Sequence, residues 1–184
     1  MAGHKHYKLT EKRIRVSGAQ KTIVSILLSI GIAALLIYSY QKYQNPKNAI
    51  PSQIKSQLSF IVFYPGPSPD TTVDSSSFKY DQPTHVFSFV VNFMHQPVTI
   101  AEQATPQNFI DIPQGYDKLI ESLSEYASFN SYYDKVSLTH PKEFKGQQSA
   151  VMNSKGTLVF AHPTSGSLGE DQWRKLFNGL EIIR

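Results

Sequence analysis

The 184-residue chain carries 18 Lys/Arg against 14 Asp/Glu, a formal net charge of +4, and no cysteine. Such a length holds one domain and a short extra segment, and the lack of thiols excludes disulfides, thiol catalysis, iron–sulfur clusters and cysteine-ligated zinc. The positive charge lies ahead of Thr22, where six Lys/Arg face Glu11 alone, while beyond Gln41 12 basic residues face 13 acidic ones. The larger part therefore lacks the basic balance that phosphate-backbone binding draws on, and no nucleic-acid partner is expected.

Residues 1–21 read as a basic cytoplasmic tail. Thr22 to Gln41 is a run of 20 residues without a charge, long enough as a helix to cross roughly 30 Å of hydrocarbon. Ser25 and Ser29 fit such a helix because a hydroxyl bonds back to a carbonyl one turn earlier, and Tyr38, Tyr40 and Tyr43 stand where an interfacial belt forms. Six Lys/Arg precede the run, and only Lys42, Lys47 and Lys55 follow closely, so the positive-inside bias places the N-terminus in the cytoplasm and the rest outside the plasma membrane. A cleaved signal peptide would need a small-x-small site where Tyr38-Ser39-Tyr40-Gln41-Lys42 stands. A pilin-like leader is suggested by Gly18 before the apolar run. Ile23 occupies the position where that pattern carries Glu, and Pro46 and Pro51 interrupt the long helix it requires.

Residues 42–53, with Pro46, Pro51 and scattered Lys and Asn, read as a linker, and 54–184 as the extracytoplasmic domain. Leu58 to Tyr64 predicts a strand ended by Pro65-Gly66-Pro67-Ser68-Pro69; Thr72 to Tyr80 predicts a second. His85 to Phe93 is the clearest, with Phe87, Phe89, Val91 and Phe93 on one face and Val86, Ser88, Val90 and Asn92 on the other, a strand covered on both sides. A turn at Met94-His95-Gln96-Pro97 leads into Val98 to Gln103 as a hairpin. Tyr116, Leu119, Ile120, Leu123 and Ala127 predict a helix from Gly115 to Phe129. Val136 and Leu138 mark a short strand before His140-Pro141. Gln148 to Met152 and Thr157 to Ala161 form a hairpin about Asn153-Ser154-Lys155-Gly156. A last helix, about Gly169 to Leu180, carries Trp173, Leu176, Phe177 and Leu180 as one stripe, capped through Ser167 and Glu170 or by Gly169 with Leu168 stapled to Trp173.

This order of elements predicts an α+β domain: an antiparallel sheet of about six or seven strands with two helices packed on one face, preceded by one transmembrane helix. Candidate chemistry is sparse. Ser52-Gln53-Ile54-Lys55 has the Ser-x-x-Lys spacing of serine acyl enzymes without the downstream Ser-Asp-Asn or Lys-Thr-Gly partners. His4 and His6 are spaced like a strand pair able to touch one metal. Asp117, Glu121 and Glu125 share the outer face of the expected helix, and His85, His95, His140 and His162 flank strand ends without a nucleophile motif. Tyr126, Phe129, Tyr132 and Tyr133 cluster where they could close the core or line a groove for a lipid, glycan or peptide. No catalytic, cofactor-binding or metal residue is assigned, and no cofactor is expected.

Lys145-Gly146-Gln147-Gln148-Ser149-Ala150-Val151-Met152, the hairpin to Phe160 and the Trp173 helix resemble the final strand-strand-helix unit of bacterial envelope-sensor ectodomains. Among these are anti-sigma-factor regulators with a lipoprotein-carrier-like sheet and helices. The resemblance spans about 40 residues and implies a binding or sensing module, with no functional residue carried over. The absence of any Asn-x-Ser/Thr acceptor fits a bacterial envelope. The expectation is a membrane-anchored, non-enzymatic envelope protein that meets a protein, lipid or glycan partner. The alternatives are an anchored hydrolase and a pilin-like assembly subunit.

Overall fold

The computed structural model describes residues 49–112, 114–142 and 147–183 of the chain. The chain divides into two units at Gln41/Lys42, and all described residues belong to the second. The expected tail, membrane helix and most of the linker, with His4 and His6, lie outside them. Among the described residues no helix is long and apolar enough to cross a membrane.

The domain is α+β. A short helix α1 (Ser52–Lys55) precedes β1 (Phe63–Pro65), β2 (Thr71–Asp81), β3 (Val86–Phe93) and β4 (Gln96–Ala104). Helices α2 (Gln107–Asp111) and α3 (Gly115–Ser122) follow, then β5 (Glu125–Asn130), β6 (Lys135–Thr139), β7 (Ser149–Ser154), β8 (Thr157–Pro163), α4 (Glu170–Asn178) and β9 (Leu180–Ile182). Seven strands make one antiparallel sheet in the order β2-β3-β4-β8-β7-β6-β5. Two meanders, β2 to β4 and β5 to β8, thus meet at the central β4–β8 pair, and α2–α3 is the connection between them. A separate two-stranded pair joins β1 to β9.

Alternation decides the two faces of the sheet. Phe87, Phe89, Val91 and Phe93 on β3, Val98 and Ile100 on β4, Val159 and Ala161 on β8, and Ala150 and Met152 on β7 all enter the main core, with Trp173, Leu176 and Phe177 of α4 against them. The intervening residues Val151, Leu158 and Phe160 belong to a second cluster with Phe109 of α2 and Tyr116, Leu119 and Ile120 of α3. The two longer helices therefore lie on opposite faces, not on one as expected. The physical reason lies in the strands: β7 and β8 are apolar on both sides, so each face needs its own cover. β3 is likewise apolar on its main-core side and half-buried on the other.

Local chemistry sets the boundaries. The β3–β4 hairpin turns through Met94 (φ 49°) and His95 (φ 66°), and the β7–β8 hairpin through Lys155 (φ 50°) and Gly156 (φ 79°), both two-residue turns of the twist that antiparallel strands favour. Gly169 caps α4, its N–H donating to Gln172 Oε1 at 2.8 Å, and Leu168 is buried beside it. The expected helix to Phe129 ends at Ser122. His140 N–H bonds back to the carbonyls of Leu123 and Ser124, Ser124 takes φ 59°, and the chain leaves as β5. Along β5, Ala127 and Phe129 point inward while Tyr126 and Ser128 are exposed, so pairing with β6 outweighs the helical stripe that Leu119, Leu123 and Ala127 suggest.

The expected strand from Leu58 forms a ladder only at Phe63–Pro65. Leu58, Phe60 and Val62 are buried all the same, and the backbone there bonds outside any strand: Thr157 Oγ1 donates to Ile61 O at 2.7 Å and Ile183 N–H to Val62 O at 3.1 Å. Ile50 is already buried, so domain packing extends upstream of Ile54.

Candidate functional site

The residues singled out from sequence do not converge. Ser52 and Lys55 are exposed on the single turn α1. His85 is exposed and hydrogen-bonds Tyr80 Oη through Nδ1 at 3.0 Å. His95 is exposed in the β3–β4 turn, and His140 stacks on Tyr126 with ring centroids 4.5 Å apart. His162 faces a hollow. Among the described residues, no group of three or more His, Asp or Glu could hold a metal ion.

Asp117, Glu121 and Glu125 do border one depression of about 290 Å³, although Glu125 sits on β5 and not on the helix. Lys135 shares that depression and pairs with Glu125 at 3.2 Å. The acids are exposed, so the arrangement is a solvated ion pair, which gives little binding energy by itself. Tyr116 borders the same place, and its pKa is raised mainly by burial and then by Asp134, Glu125 and Asp117.

The aromatic cluster closes the core. Phe129 is buried edge-on to Phe177 at 6.3 Å with the Arg174 guanidinium 4.9 Å from its ring centroid. Tyr133 meets Phe63 edge-on at 5.0 Å and donates to Leu180 O at 2.9 Å. Tyr126 stays half-exposed, and Tyr132 is 81% exposed.

The cavity that does form was not among the sequence expectations. It lies on the second face, between α3 and strands β3, β4 and β8, with a volume of about 380 Å³. Val86, Ala101, Leu119, Leu123, Leu158 and Phe160 supply apolar walls, Gln103 and His162 supply the polar side chains on the same face, and Glu102 of β4 borders the cavity between Ala101 and Gln103. Leu158, Phe160 and His162 occupy alternate positions of β8, so the groove runs about 13 Å along that strand. It exists because α3 is short: the helix covers β7 and part of β8, and ends before it can cover β3 and β4. Val86, Val90, Thr99, Ala101 and Phe160 are left half-buried. Burial lowers the pKa of His162, which favours the neutral imidazole in the groove. A sequence signal for this site was present in the two-sided apolar character of β3 and β8, since a face that is apolar yet only partly covered leaves a hollow.

Chemically the groove can take an uncharged, apolar group. It presents no cationic side chain to an acid and no pair of carboxylates for acid–base work. Comparison with protein-family models, with curated proteins and with solved structures gives no match, so its reading rests on geometry and chemistry.

Proposed function

We propose that this chain is a single-pass, non-enzymatic module of the bacterial envelope. Thr22 to Gln41 anchors it with the N-terminus in the cytoplasm, and the folded domain binds a partner through an apolar group held in the second-face groove. The uncharged run and the six preceding basic residues support the anchor and its orientation. The observation that carries the binding reading is the 380 Å³ groove, walled by aliphatic and aromatic side chains on a preformed sheet, within the size range of small-molecule pockets. Of the partner classes open from sequence, the apolar walls favour a lipid chain or an apolar protein side chain over a glycan, whose hydroxyls would lose water without matching donors and acceptors.

Photocrosslinking in native membranes tests this. A benzophenone amino acid in place of Leu123, at the groove wall, should give a discrete adduct with an apolar molecule or peptide. The same residue in place of exposed Lys155 should not. Adducts absent at 123, or identical at both positions, would refute the groove as the binding site.

A further inference from the structure

One buried ionisable side chain borders the groove through its strand while its carboxylate meets β1 on the main-core side. Glu102 is on β4 in the same inward alternation as Val98 and Ile100, 1% exposed, with Phe87 of β3 and Val159 of β8 as its cross-strand neighbours. Its Oε2 accepts the Phe63 N–H of β1 at 3.2 Å, and Oε1 has no hydrogen-bond partner among the described residues. Titratable side chains on the elements around it include Tyr64 on β1, Glu181 on β9, His162 on β8, Tyr133 at the β5–β6 loop, Tyr80 on β2, His85 ahead of β3 and Lys155 at the β7–β8 turn. Of these, Tyr80 bonds His85, Tyr133 bonds Leu180 O, His162 faces the groove, Glu181 and Lys155 are exposed, and burial pushes the Tyr64 phenol up to about 12, so that it is uncharged. No charge among them contributes to the state of Glu102; desolvation dominates and raises its pKa well above the usual value, opposed only by the Phe63 amide.

We propose that Glu102 is a protonation-controlled latch: as the neutral acid it accepts the Phe63 amide and keeps β1 on the sheet, and loss of its proton to water releases β1 together with its partner β9.

The geometry makes this the weak point of the seam. An anion at this place would be a buried charge with one backbone donor and no cation, which is far costlier than a neutral carboxyl with one unmet oxygen. Relief comes most directly by opening the thin layer above it. That layer is a three-residue pair whose Phe63, Tyr64 and Leu180 side chains pack into the main core, and its polar ties are Phe63 to Glu102, Thr157 to Ile61 O, Ile183 to Val62 O, Gly66 to Gly179 O and Tyr133 to Leu180 O. The central ladders beneath, β3–β4, β4–β8 and β8–β7, are continuous and stay closed. Because β1 follows the segment that leads into the domain, and β9 lies near its other end, the latch sets whether both ends are bound to the body. The inference does not depend on what occupies the groove.

The sign follows from linkage: a carboxyl whose folded-state pKa is raised contributes stability that is fully present below its unfolded value and is lost as pH rises through the folded one. Amide hydrogen exchange on the full chain in detergent micelles, corrected for the intrinsic pH dependence, reads this directly. From mildly acidic to alkaline pH, protection at Phe63, Tyr64, Ile182 and Ile183 should fall by about tenfold or more, while β3 and β4 amides keep theirs. Glu102→Gln, which keeps an acceptor and cannot ionise, should hold protection at β1 and β9 across the range. Infrared spectra of the unaltered protein, which need no variant to fold, should show a protonated-carboxyl stretch at neutral pH. A missing stretch, β1 and β9 protection independent of pH, an equal fall in Glu102→Gln, or an equal fall across β3 and β4 would each overturn the latch.

Discussion

His162 and Glu102 lie on opposite faces of the same sheet, and burial moves their pKa values in opposite directions. For His162 the folded-state value is lowered, so its contribution to stability is present above the unfolded imidazole value and is lost as pH falls through and below it. Denaturation midpoints measured from about pH 7 down to about pH 5 should therefore fall less steeply in His162→Gln than in the unaltered chain; equal slopes would show that the imidazole titrates as it does when unfolded. Of these two groups only the parity was readable in advance. Val98, Ile100 and Glu102 share one face of their strand in sequence, but an inward glutamate is normally disfavoured. Its burial depends on β1 lying over it, a contact 39 residues away in the chain. The sequence placed His162 beside a strand end, and the structure places it on the strand, inside the last two positions of β8.

At the scale of elements, strands with strict alternation were the most legible. β3, β6 and the β7–β8 hairpin fall where period-two patterning puts them, because one fully apolar face fixes register. What patterning could not give was long-range pairing. The three-residue β9 and the truncated β1 exist only by virtue of each other, and β5 is a strand because β6 is beside it. The short α2 has no apolar periodicity to reveal it: Ile110 is 61% exposed and Ile112, just beyond it, 50%. The two helix-covered faces also differ in weight. Trp173 is fully buried in the main core, so Trp173→Ala should cost about 3–5 kcal/mol. That is a large share of the roughly 5–15 kcal/mol available to a domain. Phe160 is half-buried in the smaller cluster beside the groove, and Phe160→Ala should cost about 1–2 kcal/mol. Urea titration of both variants checks the order, and a larger loss at Phe160 would mean that the groove wall, not the α4 face, carries the fold.

On the scale of the whole molecule, the fold class was legible from the succession of strands and helices, and the number of strands in the main sheet lies within the expected range. The side on which each helix packs was not, because it depends on which strands are apolar on both faces and not on the helices themselves. Both edge strands are interrupted, β2 between Asp74 and Lys79 and β5 between Glu125 and Ala127. Such irregularities discourage edge-to-edge addition of another chain, which favours partner binding through the groove over strand exchange. The remaining part of the account is the tether, and the absence of cysteine makes it directly measurable. Single cysteines at Lys8, in the basic tail, and at Tyr132, 81% exposed on the domain, can be treated with a membrane-impermeant maleimide in right-side-out vesicles. A lipid-spanning segment between them, with the tail inside, predicts labelling of Tyr132→Cys in sealed vesicles and of Lys8→Cys only after permeabilisation. Labelling of both in sealed vesicles, or of Lys8→Cys alone, would contradict it.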